Sequence, residues 1–70
     1  MKLTYLVRYT RDTQEKQAGH EEIREVKNVV QFVIDSKYIK CFNKSNELQA
    51  SPIPLHGIFT DVEKITIEGK

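Results

Sequence analysis

The sequence predicts an all-β domain, or at most a β-rich α+β one. It should hold five to six short antiparallel strands in a curled sheet or small SH3-like barrel, with no more than one short helical turn near residues 55–61. Three observations predict this. Residues 29–44, VVQFVIDSKYIKCFNK, contain two runs dense in β-branched and aromatic side chains around the polar triplet Asp35-Ser36-Lys37, the composition of a central hairpin. Residues 3–10, LTYLVRYT, alternate apolar and polar, the period of a half-buried strand. Finally, the one extended stretch of helical spacing, 55–62, is interrupted by Gly57, which weakens a helix by about 1 kcal/mol relative to Ala.

In strand one, over 3–10, Leu3, Tyr5, Val7 and Tyr9 share one face and Lys2, Thr4, Arg8 and Thr10 the other. Leu6 breaks the polar face, which predicts either partial burial there or an exposed apolar patch. Residues 11–20, RDTQEKQAGH, have no large aliphatic or aromatic side chain and read as a flexible polar hairpin loop closed near Ala18-Gly19. The loop is longer than the usual hairpin connection. Residues 21–27, EEIREVK, suit either a helix or an edge strand. They are too short for an independent helix and the context is β, so a strand is expected, with a bulge or turn at Lys27-Asn28.

In the hairpin, Val30, Phe32 and Ile34 alternate with Val29, Gln31 and Val33, giving a strand apolar on both faces and expected to be the most buried one. Its partner, 38–42, has Ile39 and Cys41 on one side and Tyr38, Lys40 and Phe42 on the other. The next turn spans Asn43–Glu47, with Asn46 suited to positive φ. A short strand over 47–53 should lie at an edge, because Pro52 and Pro54 lack backbone donors. Leu55, Ile58, Phe59 and Val62 then suggest one helical or 3₁₀ turn, and 63–68 a last strand with Ile65 and Ile67 inward.

A 70-residue chain buries only about 60% of the surface it exposes when unfolded. It is a single small domain over 1–70 and benefits from a staple. Cys41 is the only cysteine, so no disulfide forms within one chain. Cys41, His20 and His56 lack the spacing of a zinc site. Neither a metal nor a cofactor is therefore expected, and self-association as a homodimer is the remaining staple. The lone cysteine, the lack of a signal-peptide pattern and the lack of a membrane-length apolar run point to a soluble, cytoplasmic protein.

The net charge is +1, but the charge is uneven. Residues 1–11 carry Lys2, Arg8 and Arg11 with no acid; 12–26 carry Asp12, Glu15, Glu21, Glu22 and Glu25 against Lys16 and Arg24; 37–44 carry Lys37, Lys40 and Lys44 with no acid. Two basic strands flank an acidic segment.

No phosphate loop, nucleophile elbow or HExxH pattern is present. Cys41 sits in an apolar strand, where a thiol is an inert small hydrophobe. His20 and His56 have no assembled partners in the sequence, and Asp35 and Asp61 suit turns. The chain is therefore expected not to be an enzyme. Three binding classes remain. A protein-binding module follows from strands apolar on both faces with too little mass to cover them and from open strand edges. Binding of single-stranded nucleic acid would use Tyr38, Lys40, Phe42 and Lys44, with Lys2 and Arg8 if their face coincides with it; the low net charge weighs against it. A small-ligand module would use Tyr5, Tyr9, Phe32 and Phe59 at a dimer interface, although aromatics in so small a chain serve first as core. The expectation is a non-enzymatic module acting through protein–protein interaction, with itself and with another protein. The candidate face is Arg8, Tyr38, Lys40, Phe42 and Lys44, with the 11–20 loop beside it. In size and style the chain is similar to the small cytoplasmic open reading frames of phages and mobile elements. That resemblance, carried by no particular residue, implies a phage- or prophage-encoded modulator of a host protein.

Overall fold

The structure, a computed structural model, describes residues 1–69. Six antiparallel strands make two three-stranded sheets. The first contains β1 (Lys2–Tyr9), β2 (Glu21–Val26) and β6 (Thr60–Glu68) in the order β2-β1-β6. The second contains β3 (Gln31–Ile34), β4 (Tyr38–Phe42) and β5 (Ile53–Pro54) in the order β3-β4-β5. The all-β expectation is met. Its closed form is not, because among the described residues no ladder joins the sheets into a barrel.

The inward stripes of the two sheets meet in one core. Leu3 of β1 and Val26 of β2 come from the first sheet, Ile39 and Cys41 of β4 from the second, and Val29 from between them. Tyr5, Phe32, Ile53, Leu55, Val62 and Ile65 pack around this centre. Strand β1 alternates as the sequence reads: Leu3 and Val7 are buried, and Arg8 is exposed. Leu6, on the opposite face, lies beside Ile23 of β2, which is 76% exposed, so the break in the pattern is a small apolar patch. Strand β6 accommodates an extra residue, Glu63, where its register with β1 shifts between Leu6 and Val7; such a bulge strengthens the local twist.

Two residues stitch the sheets together. Val29 donates its N–H to the Met1 carbonyl (2.8 Å) and accepts from the Met1 ammonium (2.7 Å), while the next N–H, of Val30, reaches Phe42 O at 2.9 Å. The chain thus passes from the edge of one sheet to the edge of the other within two residues. Asn28, at φ 60°, makes the corner in the left-handed region that Asn tolerates better than most residues. Leu55 makes the second joint: its N–H donates to Lys37 O and its carbonyl accepts from Val62 N–H, both at 2.9 Å.

Four expectations are corrected. Strand β3 is not the most buried: it lies at a sheet edge with Val33 and Ile34 each 44% exposed, and β4 is central. Val29 and Val30 follow the corner rather than the strand alternation, so Val29 is fully buried and Val30 is 56% exposed. The strand expected over 47–53 shrinks to an isolated bridge between Leu48 and Phe42 and the two residues of β5. The prolines end the pairing there for want of donors. The helical turn expected near 55–61 is not formed. His56 and Asp61 bridge, Gly57 N–H donates to Thr60 O at 2.7 Å, and Thr60–Val62 join β6. The helical spacing was coincidental: Leu55 and Val62 pack on the core, whereas Ile58 and Phe59 lie exposed on the bend.

The 11–20 loop closes near Gly19, as expected, through Gly19 N–H to Tyr9 O and Tyr9 N–H to His20 O. It is also held from within. Thr13 Oγ1 accepts from Glu15 and Lys16 N–H, and Asp12 Oδ1 accepts from Ala18 N–H. These are the local side-chain turns that short polar residues favour.

Candidate functional site

Pairing fixes which side chains of the second sheet face away from the core. Phe32 lies opposite Cys41, Ile34 opposite Ile39 and Ile39 opposite Ile53, so these form the inner face. The alternate pairs, Gln31 with Phe42, Val33 with Lys40 and Tyr38 with Pro54, form the outer face. Tyr38, Lys40 and Phe42 therefore share one outward surface: Tyr38 is 41% exposed, while Lys40 and Phe42 are half-buried. Lys40 stands opposite Val33 in register, a position from which a lysine stem can cover apolar surface while its ammonium stays in water.

Two tight turns frame this face. Asp35 Oδ1 accepts from Lys37 N–H (2.8 Å) and Tyr38 N–H (2.7 Å). Those two backbone donors hold the Asp35 carboxyl below its usual range. At the far end, Asn43 Oδ1 accepts from Ser45 and Glu47 N–H, and Asn46 takes φ 61°, as its residue type suggested. Lys44 is exposed on that turn, outside the strand.

Arg8 does not join this face. It lies on the outer side of the first sheet, opposite Glu21 and Asp61 in register and 3.6 Å from Glu63. Lys2 is likewise committed to Glu25 and Glu68; Glu68 first and then Glu25 raise its pKa above the ordinary lysine value. The two basic strands thus do not merge into one surface. Among the described residues, Lys37, Lys40 and Lys44 make no ion pair, whereas Lys2, Arg8, Lys16, Arg24 and Lys27 do. Arg11 and Lys64 are likewise without an ion pair among the described residues, but only Lys37, Lys40 and Lys44 lie on the second sheet and its turns, beside its exposed apolar side chains.

Two groupings were not foreseen. Ser36, Lys37, Tyr38, Pro54 and His56 line an open depression of about 270 Å³ at the edge of the outer face. His56 Nδ1 lies 3.3 Å from Asp61 Oδ1 on the bend before β6. The second is Glu22, ringed by Arg24 at 3.0 Å, His20 at 3.3 Å and Lys16 at 3.5 Å, with Arg24 reaching Tyr9 Oη at 3.3 Å. The hydrogen bond from Arg24 lowers the Glu22 pKa. This cluster anchors the 11–20 loop to β2. Alternation places Glu22 and Arg24 on one face, but loop contacts across several residues leave no periodic signal.

The remaining sequence candidates are dispersed. Cys41 is buried and burial pushes its thiol pKa up, the setting of an unreactive thiol. Tyr5 and Phe32 pack on the core, the Tyr9 ring lies 5.6 Å from that of His20, and Phe59 is on the exposed bend. No grouping of three or more His, Cys, Asp or Glu side chains suited to a metal occurs among the described residues. No family model, curated protein or solved structure matches this chain.

Proposed function

We propose that this protein is a non-enzymatic binding module that recognises another protein through the outer face of the β3–β4 hairpin. The partner surface would be apolar with acidic residues at its margin. One observation carries the reading: Tyr38, Phe42 and Val33 lie on an outward face whose neighbouring Lys37, Lys40 and Lys44 make no ion pair among the described residues. Partly exposed aromatics give large contact area. Unpaired lysines around them favour an acidic partner by steering and specificity more than by raw affinity. The depression lined by Tyr38 and Pro54, with Ser36, Lys37 and His56, offers a seat for one apolar side chain.

A protein suits this face better than a single strand of nucleic acid. The cation that would extend a nucleic-acid track, Arg8, is on the other sheet and engaged with Glu63. The exposed aliphatic side chain on this face, Val33, offers nothing to phosphate or base edges. The test is capture from a cell lysate on tagged protein, with and without nuclease, comparing the native chain with Tyr38→Ala and Lys40→Glu. The expected result is a discrete protein that survives nuclease and is lost from both variants. Material that disappears with nuclease overturns the reading in favour of nucleic acid. A partner retained equally by both variants overturns the choice of face.

A further inference from the structure

We infer that the open edge of β3 pairs with β3 of a second copy of this chain, antiparallel about a two-fold axis through Val33, joining two three-stranded sheets into one of six strands. The inference concerns backbone pairing at the edge of the hairpin; it shares Val33 with the outer face proposed above but not Tyr38, Phe42 or the lysines, and it is read by self-association rather than by capture of another protein.

The described residues have four sheet edges, and three carry the devices that deter edge pairing. Strand β2 is laden with Glu21, Glu22, Arg24 and Glu25. Strand β6 has a register shift at Glu63 and carries Lys64 and Glu68. Strand β5 is two residues long, ends in Pro54 and follows Pro52. Strand β3, Gln31–Ile34, has no charge, no proline and two half-exposed aliphatic side chains.

Its backbone is correctly disposed. Asp35 N–H donates to Tyr38 O, so in this ladder the inward-bonding residues of β3 are Gln31 and Val33. The alternation of an antiparallel pair then turns the N–H and C=O of Phe32 and Ile34 to the free side. Those two residues can exchange four backbone hydrogen bonds with the same two residues of a second copy, Phe32 opposite Ile34 and Ile34 opposite Phe32. This register is self-complementary in side chains as well. Val33 meets Val33, and Gln31 stands opposite Asp35 of the second copy, amide against carboxylate, with no like charges directly opposed. A closed two-fold contact of this kind is the commonest way for a soluble chain to self-associate. So short an edge falls below the standard interface of about 800 Å² per partner, so the dimer is weak and concentration-dependent.

The experiment is sedimentation over an approximately hundredfold range of protein concentration, with backbone amide exchange read residue by residue. The expected result is a monomer–dimer equilibrium in which exchange at Phe32 and Ile34 slows as concentration rises. Val33→Glu sets Glu beside Lys40 within its own chain, which preserves the monomer, but sets two carboxylates face to face across the axis. It should weaken association more than about tenfold. Mixing Val33→Glu with Val33→Lys should restore pairing as a one-to-one heterodimer. Ile23→Glu, on β2, should leave association unchanged. A monomer at every concentration overturns the inference, as does a dimer that survives Val33→Glu with the Phe32 and Ile34 amides still exchanging freely. Dimerisation retained by Tyr38→Ala keeps this outcome separate from the fate of the binding face.

Discussion

Replacing Val29 by alanine tests the joint between the sheets, and its neighbour is the control. Val29 is fully buried among Leu3, Val26, Ile39 and Cys41, whereas Val30 is 56% exposed. Removing the two methyl groups of a buried valine forfeits about 0.8 kcal/mol of transfer free energy for each, or roughly 1.6 kcal/mol. The unfilled space adds to this, for a total of about 2 kcal/mol. A domain of 70 residues has a total stability of about 3.5–10 kcal/mol at the usual per-residue range, so the loss is a large fraction of it. Val30→Ala should change stability by less than about 0.5 kcal/mol, as an exposed substitution does. Far-UV circular dichroism in urea is the assay, since the chain has no tryptophan. The expected result is a lower midpoint for Val29→Ala at unchanged slope, because the same surface is exposed on unfolding. The reasoning is refuted if Val30→Ala costs as much as Val29→Ala, which would mean that the strand alternation, and not the corner at Asn28, orients these side chains.

Asn28→Val should destabilise the fold by about 1–2 kcal/mol relative to Asn28→Gly, because a β-branched residue resists the left-handed backbone there; equal melting temperatures would remove the corner from the account. Asp35 and Glu22 both have folded-state pKa values below their ordinary ones, so their contributions are complete above the unfolded values of about 3.9 and 4.3. They are lost as pH falls through the lower folded-state values. Urea midpoints should therefore drop below about pH 4, and Asp35→Asn, which keeps an acceptor oxygen but no carboxylate, should make that acid limb shallower; an unchanged limb counts against the turn's role. Cys41, buried with a raised thiol pKa, should react with a disulfide reagent only as fast as the protein unfolds, and fast labelling of the native protein would contradict the core assignment.

Local chemistry in the sequence was enough to determine several features. Alternation in 3–10 placed Leu3, Tyr5 and Val7 on one face because pleated backbone turns successive side chains to opposite sides whatever lies beyond them. The same argument separated Ile39 and Cys41 from Tyr38, Lys40 and Phe42. Asn46 was legible as a turn residue because its preference is set by its own side chain. The three lysines beside those aromatics could be read off the sequence, but their lack of an ion pair among the described residues could not. It depends on which carboxylates the fold brings within reach, and β6 delivers Glu68 to Lys2 and Glu63 to Arg8 from more than fifty residues away in the chain. For the same reason Arg8 could be named as a candidate yet not excluded from the face.

What only the tertiary structure decided is which strand is central and which is an edge. Apolar side chains on both faces of 29–34 look the same whether the strand is flanked on two sides or one. The difference lies in backbone pairing, which side-chain period does not encode. Two short-range events also overrode the period. The corner at Asn28 reversed the expected sides of Val29 and Val30, and the His56–Asp61 bridge turned a helical spacing into a bend. Side-chain order along the chain determined the faces of the strands. Long-range hydrogen bonding, through Met1 to Val29 and Lys37 to Leu55 to Val62, determined how those faces were stacked and which edge was left open.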